Sequence, residues 1–129
     1  MLDEFLARFY QAISFGPGEL FPSSSFRALF RPDALLLERT ETGYAAKTVE
    51  EHIREFETVV RDYPQLFAEG FTERQITLEW TEQNSVCLVH SGYEKRYARN
   101  GEPVTEYGVN HFTILIENGV PRIACAVWE

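Results

Sequence analysis

A glutamate, Glu38, closes the apolar run Ala34-Leu35-Leu36-Leu37. An asparagine, Asn110, opens another, in which Phe112, Ile114 and Ile116 recur at every second residue. A carboxylate that loses water to apolar neighbours holds its proton more tightly, rising from ~4.3 towards neutrality, where it works as a general base. A carboxamide in the same surroundings needs hydrogen-bond partners, and the carbonyl of a bound molecule suits it well. Alternation puts Glu38 with Ala34 and Leu36, and Leu35, Leu37 and Arg39 on the other face. Both faces are apolar, so spacing leaves open whether Glu38 meets a cavity or water. Asn110 points inward with Phe112, Ile114 and Ile116, or else sits at a rim where its side chain satisfies nearby backbone.

Other chemistry is thinly represented. His52 stands among Glu50, Glu51 and Glu55, a hydrated setting, and no histidine pair has metal-ligand spacing. There is no Gly-rich phosphate loop, no serine nucleophile elbow and no Cys–His pair close in sequence. No metal and no cofactor are expected. Ten Phe, six Tyr and two Trp are many for 129 residues, and such side chains line ligand cavities as readily as they fill cores.

The elements that must hold these residues follow from periodicity. Leu2, Phe5, Leu6, Phe9, Tyr10 and Ile13 recur at helical spacing up to the breaker Ser14-Phe15-Gly16-Pro17-Gly18. Serines before Phe26, Leu29 and Phe30 cap a short second helix that stops before Pro32 and hands over to the strand Asp33–Arg39. A capping box, Thr48 to Glu51, starts a third helix through Ile53, Phe56, Val59 and Val60 to about Tyr63-Pro64. The period then changes to two in four segments separated by turn residues, including Asn100-Gly101 and Asn118-Gly119. The predicted class is α+β: three helices on one face of a sheet that ends in a four-stranded antiparallel meander.

Length and composition set the outer limits. With 44% hydrophobic residues, 129 residues make one domain, 1–129. The net charge of -8, with no Lys or Arg stripe, disfavours nucleic acid and anionic membrane as partners. Cys87 and Cys125 lie in apolar runs and read as free buried thiols, with a bridge between them the alternative. Asp3 and Glu4 stand where a signal peptide carries basic residues, and no apolar run approaches ~20 residues, so a cytoplasmic protein is expected.

The order of elements resembles the nuclear transport factor 2-like superfamily, the cone-shaped, cystatin-like fold of SnoaL-like cyclases, scytalone dehydratase and ketosteroid isomerase. "LFRPDALLLER" followed by "HIREFETVV", and "VNHFTILIENGVPRIACAVWE", are similar to two blocks of ketosteroid isomerase in the same order. The resemblance implies a strongly curved sheet and gives Glu38 the place of the proton-shuttling carboxylate. It gives Asn110 the place of an acidic hydrogen-bond donor. That family keeps a carboxylic acid neutral in an apolar site so that it can donate to an oxyanion, a worked case of pKa tuning, and an amide donates without having to retain a proton. The family's tyrosine donor aligns with Phe9, and the nearest phenol, Tyr10, lies ~100° around the helix.

The resemblance also implies a cavity in which His90 takes part, since dehydratases and cyclases of this fold place histidine there. Tyr44 and Tyr107 would stand at its mouth, with Tyr10, Trp80, Trp128 and Phe112 as ligand contacts. His111, Thr113 and Leu115 share a half-apolar face that in this superfamily serves as a homodimer interface. Two classes of function fit: a cofactor-free enzyme that isomerises, dehydrates or cyclises a small apolar carbonyl compound, with Glu38 as base and Asn110 as polariser, or a non-catalytic ligand-binding or dimerisation domain.

Overall fold

The computed structural model describes residues 1–129. Helix α1 (Leu2–Ala12) and the short α2 (Ser23–Arg27) lead into β1 (Phe30–Thr40) and β2 (Gly43–Thr48). Helix α3 (Val49–Asp62) and a single turn, α4 (Pro64–Phe67), precede β3 (Thr72–Gln83), β4 (Val86–Arg99), β5 (Glu102–Glu117) and β6 (Val120–Trp128). One six-stranded sheet, in the order β2-β1-β6-β5-β4-β3, is antiparallel except where β1 runs parallel to β6.

The expected α+β class and the four-stranded meander are present, but the three-helix count is not. There are four helices, only α1 and α3 are long, and a second strand follows β1. Strand β2 is an edge strand whose residues are nearly all exposed, so its sequence carries no apolar alternation to announce it. Phe30 opens β1 rather than ending α2, and its ring remains packed on Phe26.

Local chemistry accounts for most boundaries. Thr48 and Glu51 form the capping box in both directions, each side chain bonding the other's backbone N–H at 3.1 Å. Asn100-Gly101 and Asn118-Gly119 both take positive φ, as tight hairpins whose twist matches the strands require. Phe15 and Phe71 exchange backbone hydrogen bonds at 2.8 and 2.9 Å, pinning the chain after α1 to the start of β3.

The core lies between the helices and one sheet face, where Phe5, Leu6, Leu36, Ile53, Val89, Ile114 and Ile123 are almost wholly buried. Cys87 pairs with Ile114 on this inner face and Cys125 with Thr113 on the outer one, so both thiols are free. No helix is long and apolar enough to cross a membrane.

Candidate active site

A row of paired residues crosses the inner face of the sheet: Glu38 on β1, Trp128 on β6, Asn110 on β5 and Ser91 on β4. Residues opposite one another in a ladder project to the same side. Glu38 and Asn110 therefore both face inward, and both line a cavity of about 360 Å³ between sheet and helices. Its walls are rich in aromatic rings, with Phe9, Phe26, Phe56, Phe112 and Trp128 among them. That volume lies at the low end of the range for small-molecule sites.

Asn110 is 7% exposed. Its Nδ2 donates to the Tyr10 hydroxyl at 3.2 Å, and the Tyr10 hydroxyl lies 2.6 Å from Ser91 Oγ. Ser91 Oγ donates its one proton to Gln75 Oε1 at 2.6 Å, so Tyr10 is the donor to Ser91. This chain fixes the amide and leaves its second N–H and its carbonyl oxygen to a bound molecule. Tyr10 lies beneath the cavity wall, not on it, so the expected ligand contact is instead a positioning group. Burial raises the pKa of its phenol, so the hydroxyl keeps its proton at neutral pH. Replacing Tyr10 with Phe leaves Asn110 and Ser91 each short of a buried partner. A loss of about 1–3 kcal/mol in urea unfolding is the expected result, and an unchanged midpoint would mean the chain does not hold the amide.

Glu38 faces the cavity at its mouth, with its side chain 50% exposed. It pairs with Lys47 at 3.5 Å, and Lys47 also binds Glu55 of α3 at 2.8 Å and lies over the Trp128 ring. Of the two settings left open for Glu38, cavity or water, it has both: it lines the cavity, and water and an ammonium group solvate its carboxylate.

The desolvated carboxyl is Glu73 on β3, which burial pushes up to about 7 against the opposing pull of Lys95. Tyr93 on β4 brings a phenol into the cavity, pushed up to about 12 by burial and then by the charge of Glu73. Gly108 makes room for it, since a Cβ there would collide with the phenol. Neither residue stood out in the sequence, although Tyr93 continues the alternation Val89, Ser91 of the inner face.

His52 lies elsewhere than its acidic sequence neighbours suggest. Far from being hydrated, its ring sits among Phe26, Phe56 and Trp128 on the cavity wall. Burial, assisted by Lys47, pushes it down to about 4, so it is neutral at pH 7. Its Nδ1 is buried with no protein partner, leaving a polar atom for a bound molecule to satisfy.

Of the other expected ligand contacts, Phe112 and Trp128 line the cavity. Three do not. Tyr44 is exposed on the edge strand, and Trp80 lies at the opposite end of the inner face beside Met1 and Pro121. His90 is on the outer face, its Nδ1 2.6 Å from Nδ1 of His111. His111 in turn lies 3.1 Å from Glu129, which binds Arg39.

No protein-family model matches the chain, and no curated protein matches it. Solved structures do. A protein of unknown function with a cystatin-like fold from Nostoc punctiforme is 18% identical, with a TM-score of 0.71 over 99% of this chain and 86% of that one. A provisional scytalone dehydratase from Novosphingobium aromaticivorans is 11% identical, with a TM-score of 0.75 over 99% of this chain and 80% of that one. A provisional ketosteroid isomerase from Shewanella frigidimarina is 10% identical, with a TM-score of 0.67 over 98% of this chain and 92% of that one. The protein therefore has the cystatin-like, nuclear transport factor 2-like fold. At these identities the likeness extends to the fold and leaves activity to the site.

Proposed function

We propose that the cavity binds a small, largely apolar carbonyl compound and moves a proton on the carbon beside its carbonyl, with Glu38 as base and Asn110 as the donor to the carbonyl oxygen. One observation carries this reading: Glu38 and Asn110 converge on one aromatic-walled cavity through the cross-strand row Glu38–Trp128–Asn110. Removing the proton builds negative charge on the carbonyl oxygen, and a fixed, buried amide donor stabilises that charge more than it does the ground state. The provisional isomerase and dehydratase among the structural neighbours are consistent with proton-transfer chemistry in this fold. Exchange of the α-protons of β-tetralone in D₂O, followed by NMR, tests it. Acceleration well beyond that given by free glutamate is expected, and a rate no faster than that would remove the enzyme reading.

The outer face favours a homodimer. Leu35 and Leu88 are 44% and 48% exposed there, beside half-buried Leu37, Leu115 and Val127. Light scattering is expected to report twice the chain mass, reduced to the monomer by Leu88→Arg. A monomeric parent protein would end this reading without touching the first.

A further inference from the structure

We propose that Glu73 is the proton donor of this cavity and that the substrate is a β-hydroxy carbonyl compound, from which the protein eliminates water. The proposal rests on the reading of Glu38 and Asn110 given above and adds a second proton-transfer group to it.

The three carboxylates on the cavity wall differ in their partners. Glu38 and Glu55 share Lys47. Glu73 accepts no side-chain hydrogen bond, and its backbone alone is tied, to Ser14 Oγ at 3.0 and 3.3 Å. Lys95, directly across the ladder from Glu73, turns to Glu106 at 3.6 Å. Lys95 lines the cavity with Glu73, as do Phe71, two residues before Glu73, and Tyr93, the partner of Gln75. A carboxyl among aromatic rings without a cation in contact is stable as the neutral acid. Burial holds it close to neutrality, so both forms are populated at working pH. The arrangement has an ion-paired carboxylate on β1, a neutral acid on β3 and an amide on β5 between them. Two carboxyls whose environments set them apart divide the roles of base and acid.

Isomerisation needs one group that takes a proton and returns it. A second, neutral carboxyl is needed when a poor leaving group must depart, and hydroxide is such a group. Glu38 takes the α-proton as the C–H pair becomes the enolate, whose oxygen receives the free N–H of Asn110. The enolate electrons then form the α,β double bond, the β-carbon–oxygen bond breaks, and the hydroxyl leaves with the Glu73 proton as water. Glu38 ends protonated and Glu73 ionised, and exchange with bulk water at the open mouth restores both. Cavity charges are then balanced, with Glu38 and Glu55 against Lys47 and Lys95, which suits an uncharged substrate.

The test uses two probes on the whole protein: β-tetralone, which has an α-proton and no leaving group, and the aldol adduct of benzaldehyde and acetone, which loses water to give ultraviolet-absorbing benzalacetone. Gln keeps the shape of Glu73 and has no acidic proton. Glu73→Gln is expected to lower elimination by about 100-fold or more, and so to lower the ratio of elimination to tetralone exchange. In the unsubstituted protein, elimination is expected to fall as pH rises through about 7, a limb that exchange lacks. Equal elimination in Glu73→Gln and the parent, or the same alkaline limb for both probes, would overturn the role of Glu73 with the Glu38 reading intact. Absence of tetralone exchange in the parent would instead remove the reading beneath it.

Discussion

Glu38→Gln is expected to slow tetralone exchange by about 10²- to 10⁴-fold, the usual contribution of a positioned general base. The substitution keeps the volume and a hydrogen-bonding end at the mouth and removes only the proton acceptor. Half of the Glu38 side chain is in water and its partner Lys47 keeps Glu55, so the fold should lose little. Melting temperature unchanged within a degree or two is the accompanying expectation. Asn110→Leu should also slow exchange, through loss of the donor to the oxyanion, by ~10²-fold or more, but it leaves Tyr10 without its donor and so should also destabilise. The two variants together separate base from polariser. Exchange that survives Glu38→Gln would move the base to another cavity group, with Glu73 the first to test.

The second large effect is on stability against pH, where two cavity groups oppose each other. His52 is held near 4 in the fold against an ordinary 6.5, so between these values the unfolded chain binds the extra proton and stability rises with pH. Glu73 is held near 7 against an ordinary 4.5, so over that window the folded chain binds the extra proton and stability falls with pH. Each shift corresponds to at most ~3 kcal/mol, and between about 4.5 and 6.5 they largely cancel. Single substitutions expose the slopes. Glu73→Gln should give a protein whose stability climbs from pH 4.5 to 6.5 and exceeds that of the parent at pH 8. His52→Phe should give one whose stability falls from pH 4.5 to 7. Urea unfolding across this range checks both. Parallel profiles for parent and variants would mean that neither group is desolvated as described.

Much of this site is legible from single residues and their spacing. Asn110 reaches the cavity in the company of Phe112, which sets its face, whereas the two apolar faces of β1 leave that of Glu38 open until β6 pairs with it. The capping box of α3 and the Asn-Gly hairpins are local chemistry, and local chemistry survives folding. Glu73 was hidden for a definite reason. Strict alternation through β3 puts Glu73, Gln75, Thr77 and Glu79 on one polar face, which reads as solvent-exposed. The register shifts between Gln75 and Thr77, so Glu73 and Gln75 point inward with Leu78 while Thr77 and Glu79 point out. One bulged residue, Ile76, thus carries an acid into the cavity. His52 was misread for a related reason. Its sequence neighbours are acidic, but helical geometry puts it on the Phe56 side of α3, where β6 supplies Trp128. His90 erred in the other direction: its apolar companions, Val86 and Leu88, belong to the outer face. The pairing of β1 with β6, which assembles the row Glu38–Trp128–Asn110, joins residues ~90 positions apart, and no local signal encodes it.

A crystal structure with β-tetralone bound tests the convergence of Glu38 and Asn110 most directly. The ketone oxygen is predicted to lie within hydrogen-bond distance of Asn110 Nδ2, with an α-carbon facing the Glu38 carboxylate and the ring against Trp128 and Phe112. A cavity closed by its own side chains, or a ketone bound with its oxygen turned away from Asn110, would contradict the account.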